Sequence, residues 1–105
     1  MVKKRAEKRR QQVLEAGGSF SSGDLLILRV MLFDRCAYCD SALHGGGVVD
    51  HMQPVSRGGS SSLGNLTLCC SQCNQEKHAK TVEEYRVWRV DRGLATIGYA
   101  FLDRR

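Results

Sequence analysis

The chain has no apolar run long enough to cross a membrane, and no positively charged start followed by an apolar stretch of the secretory kind. Those absences set the expectation of a cytoplasmic protein with no membrane partner. It also lacks length: 105 residues make one small domain, with little core to stabilise it. A bound structural metal would therefore add much. No internal repeat is present, and nothing reads as a dedicated module for recognising a DNA sequence.

Charge is unevenly spread. Residues 1–10 hold Lys3, Lys4, Arg5, Lys8, Arg9 and Arg10 against Glu7, and so carry the whole net charge of +5, while the rest of the chain has ten basic and ten acidic residues. Such an excess suits a phosphate-binding tail and equally a solubilising, frayed end. The first unit is accordingly taken as a basic N-terminal arm over residues 1–18, stopped by Gly17-Gly18.

The five cysteines form an odd set, and in a reducing compartment they point to metal ligands before disulfides. Cys36, Cys39, Cys70 and Cys73 make C-x2-C-x30-C-x2-C. Two residues between thiolates let one turn present both sulfurs to a tetrahedral ion, and two such turns close a structural Zn2+ site. Either pair alone would be weak, because C-x-x-C also serves redox chemistry. Cys69 lies in an apolar stretch and reads as a small buried hydrophobe.

Ser21 or Ser22 caps a helix with Asp24 near its positive end, and Leu25 to Phe33 reads as its buried body. Cys36 to Leu43 is a knuckle. Val48 to Met52 and Leu66 to Cys69 are short strands, the first ended by Pro54, with a Gly- and Ser-rich loop at 56–64 between them. The second Cys pair opens a helix through about Lys80. Thr81 and Glu84 have capping-box spacing and start another helix, with Tyr85, Val87, Trp88 and Leu94 as apolar positions. Ile97, Tyr99, Phe101 and Leu102 are expected to pack back on the core.

Between the knuckles lie Val49-Asp50-His51-Met52-Gln53-Pro54, and fourteen residues after His51 comes Asn65. The set resembles the HNH endonucleases, whose ββα-metal core is a hairpin followed by a metal-bearing helix. This chain supplies Cys36 and Cys39, Asp50-His51, Pro54, Gly58-Gly59, Asn65-Leu66, Cys70 and Cys73, Asn74 and Lys77, and the likeness covers about residues 20–85. It implies a small α+β fold, a ββα-metal core with a zinc knuckle and flanking helices, in a nuclease domain over 19–105 whose core is about 34–80.

The resemblance implies roles as well. His51 is the general base, suited to it by an unperturbed pKa of about 6.5. Asp50 and Asn74 bind a catalytic divalent ion (Mg2+, Mn2+, Ni2+ or Zn2+), making an H-N-N variant, and Asn65 pins the loop against His51. His78 follows Asn74 by four, so on a helix the two share a face; a third ligand and an exposed residue are equally good readings of it. Lys77 and Arg57 are candidate phosphate contacts, or simply solvated charges. Adjacent strand residues point to opposite faces, so Asp50 and His51 share a site only if the strand ends or twists there. The expected activity is hydrolysis of DNA phosphodiester bonds, with RNA left open, in a setting of phage, restriction or mobile-element biology that includes larger assemblies. The alternative is a non-catalytic, zinc-stabilised nucleic-acid-binding or assembly module.

Overall fold

A computed structural model of the chain describes residues 17–102. The basic segment over residues 1–18 lies outside them, except for Gly17 and Gly18. Helix α1, Ser22–Met31, starts at a reciprocal cap: the Ser21 hydroxyl accepts from the Asp24 amide, and the Asp24 carboxylate accepts from the Ser21 amide. Only Leu28 within α1 and Leu32 at its C-cap are buried, whereas Leu26, Ile27, Val30, Met31 and Phe33 face outward. The expected buried helix is thus corrected to one lying on the body by a single i, i+4 stripe. A body this small has too little inward surface to cover a helix on all sides.

Strands β1, Val48–His51, and β2, Leu66–Cys69, pair antiparallel, with Asp50 opposite Thr67 and His51 opposite Leu66. All four residues of β2 are buried. Helix α2, Ser71–Lys77, follows β2 directly and completes the ββα unit, and α3, Val82–Asp91, packs on α2 behind its own Thr81/Glu84 capping box. On α3, Tyr85 and Arg89 point inward while Val87 is exposed, because a residue two past Tyr85 falls on the opposite side of a helix. Leu94, expected on this helix, lies beyond its end and is exposed, and of the tail residues expected to pack back, Tyr99 and Phe101 do so while Ile97 and Leu102 are exposed.

The tail docks through its backbone. Gly98 N donates to Tyr38 O at 3.0 Å and Ala100 N to Ala37 O at 2.8 Å, while Ala37 N on the other side donates to Leu68 O at 3.0 Å. The first knuckle is therefore held between β2 and the tail. A Cβ on Gly98 would lie 2.2 Å from Ala37 O and 2.4 Å from Tyr38 C, backbone atoms that cannot swing aside. Gly98→Ala is expected to destabilise the protein by about 1–3 kcal/mol through overpacking, read as a lowered thermal midpoint. An unchanged midpoint would mean that the tail does not dock here. Tyr38 meets Tyr85 edge-on at 5.3 Å and Phe101 at 5.3 Å, so the aromatic cluster joins knuckle, α3 and tail.

Candidate active site and metal centre

The thiol sulfurs of Cys36, Cys39, Cys70 and Cys73 all lie within 4.8 Å of one another, and those of Cys39 and Cys70 are 3.8 Å apart. A tetrahedral zinc with bonds of about 2.3 Å needs sulfurs about 3.8 Å apart, so the cluster fits that ion after a small contraction. The knuckle turns aim backbone amides at sulfur: Tyr38 N and Cys39 N toward Cys36 Sγ at 3.4 and 3.5 Å, and Cys73 N toward Cys70 Sγ at 3.4 Å. A hydrogen bond from the Cys73 thiol, reinforced by backbone amides, holds the Cys36 thiol down at about 4, while burial pushes Cys70 up. A divalent cation would stabilise the remaining thiolates. Cys69 stays outside the cluster, fully buried in β2, with its thiol pushed up by burial.

Arg89 carries no signal in the sequence. Buried on α3, it brings Nη1 to 3.8 Å from Cys73 Sγ and 3.0 Å from the Tyr85 hydroxyl, while Nε donates to Ala95 O at 2.7 Å. A fixed cation there would offset the negative charge that four thiolates bring to a divalent ion. Nothing local in Val87-Trp88-Arg89-Val90 marks it, since an arginine on a helix reads as solvated.

The second feature is a polar cleft of about 250 Å³ bordered by Val49, Asp50, His51, Pro54, Asn74 and His78. β1 ends at His51, and at that terminus the two adjacent side chains both border the cleft, Asp50 buried and His51 half-buried. Asn74 comes from α2. His78 does not share a helical face with it as expected, because α2 ends at Lys77 and His78 caps it at φ 48° and ψ −121°. It reaches the cleft rim from a positive-φ turn. Among the described residues, the cysteines are the only group of three or more His, Cys, Asp or Glu side chains that converges to metal-binding distance.

Asp50 is already engaged. Its Oδ2 accepts from the Tyr38 hydroxyl at 2.5 Å and sits 3.1 Å from Lys77 Nζ, which also donates to His51 O at 2.9 Å. Lys77 is fully buried. This corrects Lys77 as a phosphate contact: α2 crosses β1 so that position 77 faces the hairpin, and its ammonium braces the cleft from behind. Burial, then the neighbouring Asp50 charge, pushes the Tyr38 hydroxyl well above the usual phenol range, so it remains a donor. Tyr38 stands between Cys36 and Cys39 and so links the thiol cluster to the cleft.

Asn65 works on the loop backbone. Its Oδ1 accepts from Gln53 N at 2.9 Å, and Nδ2 donates to Gln53 O at 3.0 Å and Ser60 O at 2.8 Å. A Cβ on Gly59 would fall 1.7 Å from Gln53 O and 2.8 Å from Asn65 Nδ2, so only glycine fits beneath this clip. Arg57 ends the short 3-10 turn Val55–Arg57, and its guanidinium pairs with Glu84, whose carboxyl is held below the usual range by the Thr81 amide and then by Arg57. A phosphate would have to compete with Glu84. His44 is an exposed loop residue.

An antiparallel hairpin leading into a helix, with strand and helix side chains bordering one polar cleft beside a four-thiol knuckle, is a ββα-metal core. Residues 36–80 match the family model described as HNH endonuclease, a family generally of nucleases, and the four cysteines of that segment are positioned to bind a metal ion. No curated protein and no solved structure shows a significant match to the chain. No helix among the described residues is long and apolar enough to cross a membrane.

Proposed function

We propose that the chain is a metal-dependent endonuclease that hydrolyses DNA phosphodiester bonds in the cleft between β1 and α2. The observation that carries this reading is that Asp50, His51, Asn74 and His78, from two elements of an HNH-family segment, border the same polar cleft. His51 accepts the proton of the attacking water as its oxygen bonds to phosphorus, and the bond to the 3′ oxygen breaks. A carboxylate, an amide and an imidazole suit a hard or borderline divalent ion, and with Oδ2 engaged by Tyr38 and Lys77, Oδ1 is the Asp50 atom that would coordinate. Such an ion, held by Asp50 and Asn74 with His78 at the rim, would stabilise the charge developing on the phosphate and the leaving oxygen. Zinc in the thiol cluster is structural. The basic N-terminal residues would add salt-sensitive, sequence-independent affinity.

Supercoiled plasmid incubated with the purified protein and Mg2+, Mn2+ or Ni2+ is expected to be relaxed or linearised. EDTA should stop the reaction, and His51→Ala should slow it by about 10²–10⁴-fold. The competing reading, a zinc-stabilised binding module, draws on the Lys77–Asp50 pair, which already satisfies part of the carboxylate. Intact plasmid with every ion, from protein that retains zinc and shifts DNA on a gel, would establish that reading instead.

A further inference from the structure

We propose that Ser61 is a positioning residue for His51, and that Gly17-Gly18 latches the Ser61 loop in place. This rests on the reading of His51 as the base, and it assigns work to a loop whose composition alone says only that it turns.

Ser61 is 3% exposed, unusual for a serine in a stretch of three. Its Oγ lies 3.0 Å from His51 Nε2. Its backbone is clamped on two sides. Ser61 N donates to Gly17 O at 3.1 Å, and Asn65 Nδ2 holds the preceding carbonyl, Ser60 O, at 2.8 Å. Gly18, at φ +79°, lies so close that a Cβ there would meet Ser62 Oγ at 2.4 Å, Ser62 N at 2.7 Å and Ser61 N at 3.1 Å. Two of those three atoms are backbone, so a side chain at position 18 would push the loop away. Gly17, at φ +75°, completes a left-handed step that brings its carbonyl to Ser61.

The chemistry follows from the ring. When Nε2 carries the hydrogen and donates it to Ser61 Oγ, the basic lone pair of neutral imidazole is on Nδ1. The contact thus engages Nε2 and fixes the ring orientation, and in the role assigned to Ser61, with its hydroxyl accepting, Nδ1 is left as the basic nitrogen. Asn65 then acts on His51 indirectly, through the loop that carries Ser61. Gly17 is thus one hydrogen bond from Ser61 and two from the histidine.

The test uses the full chain with Ser61→Ala, Ser61→Thr and Gly18→Ala, each checked for retained zinc. The ring ¹⁵N shifts of His51 report tautomer directly and do not depend on activity. The wild type is expected to show the Nε2–H form, Ser61→Ala and Gly18→Ala a mixture, and Ser61→Thr, which keeps the hydroxyl, the wild-type pattern. In plasmid cleavage, Ser61→Ala should lower kcat by about 10–100-fold with KM within about twofold, and Ser61→Thr should recover most of it. A wild-type ring spectrum in Ser61→Ala would overturn the positioning role, and one in Gly18→Ala would overturn the latch. A wild type that shows the Nε2–H form yet cuts nothing would remove the nuclease reading while leaving the Ser61 contact standing. Should Ser61→Ala lose zinc, Ser61→Thr and Gly18→Ala carry the decision.

Discussion

Cys73→Ser is expected to release the structural metal and, with it, most of the fold. Its sulfur is one corner of a four-thiol cluster within 4.8 Å, and a serine hydroxyl is a poor zinc ligand at neutral pH. Apparent zinc affinities of small four-ligand sites are worth about 10–16 kcal/mol, against a total stability of about 5–15 kcal/mol for a typical domain. Losing one ligand therefore threatens the whole margin. The damage would reach the cleft as well, because Tyr38 sits between two of the ligands and donates to Asp50 at 2.5 Å. Zinc should fall well below one per chain, the thermal midpoint should drop by more than about 10 °C, and plasmid cleavage should disappear together with them. Cys69→Ala, outside the cluster, should keep its zinc and lose only the stability of a small buried side chain. A Cys73→Ser protein with a full complement of zinc and an unchanged midpoint would refute the four-thiolate assignment.

The parts of this molecule that can be read from the sequence are those set by short-range geometry. A C-x-x-C pair fixes two sulfurs on one turn, the Ser21/Asp24 and Thr81/Glu84 spacings fix two helix starts, and two short apolar runs around a Gly/Ser loop fix the hairpin. What escapes depends on how elements cross. Lys77 and Arg89 look like solvated helix charges until α2 is laid across β1 and α3 against the thiol cluster, where both turn inward and become buried cations with specific partners. The apolar run in α1 promises burial on all sides, but the body is too small to supply it. The i, i+4 spacing puts His78 on a helix that in fact ends one residue earlier, in a positive-φ cap that no glycine announces. Ser61 is hidden in a loop recognisable only by composition; the nearest sequence signal is the Gly17-Gly18 pair, which reads as a helix stop and not as a contact.

Lys77→Met is expected to be the most costly substitution outside the thiol cluster, although it removes no proposed ligand. The ammonium is fully buried and holds both Asp50 Oδ2 at 3.1 Å and His51 O at 2.9 Å. Methionine fills similar space but leaves the carboxylate buried with Tyr38 alone on that oxygen. Breaking a buried ion pair from one side costs about 3–5 kcal/mol, because the remaining charge is left uncompensated, whereas neutralising both partners is often close to neutral. Asp50→Asn in the Lys77→Met background should therefore recover much of the lost stability, a coupling readable from thermal or denaturant midpoints of the single and double variants. Activity should part from stability there. The double variant regains its fold yet still cannot cut, because an amide in place of the Asp50 carboxylate carries no charge for the divalent ion and the carbonyl of His51 has lost its brace. Additive losses in the double variant would show that Lys77 and Asp50 do not form a coupled pair. Cleavage restored along with stability would remove Asp50 from the proposed metal site and leave the Lys77–Asp50 contact as part of the scaffold alone.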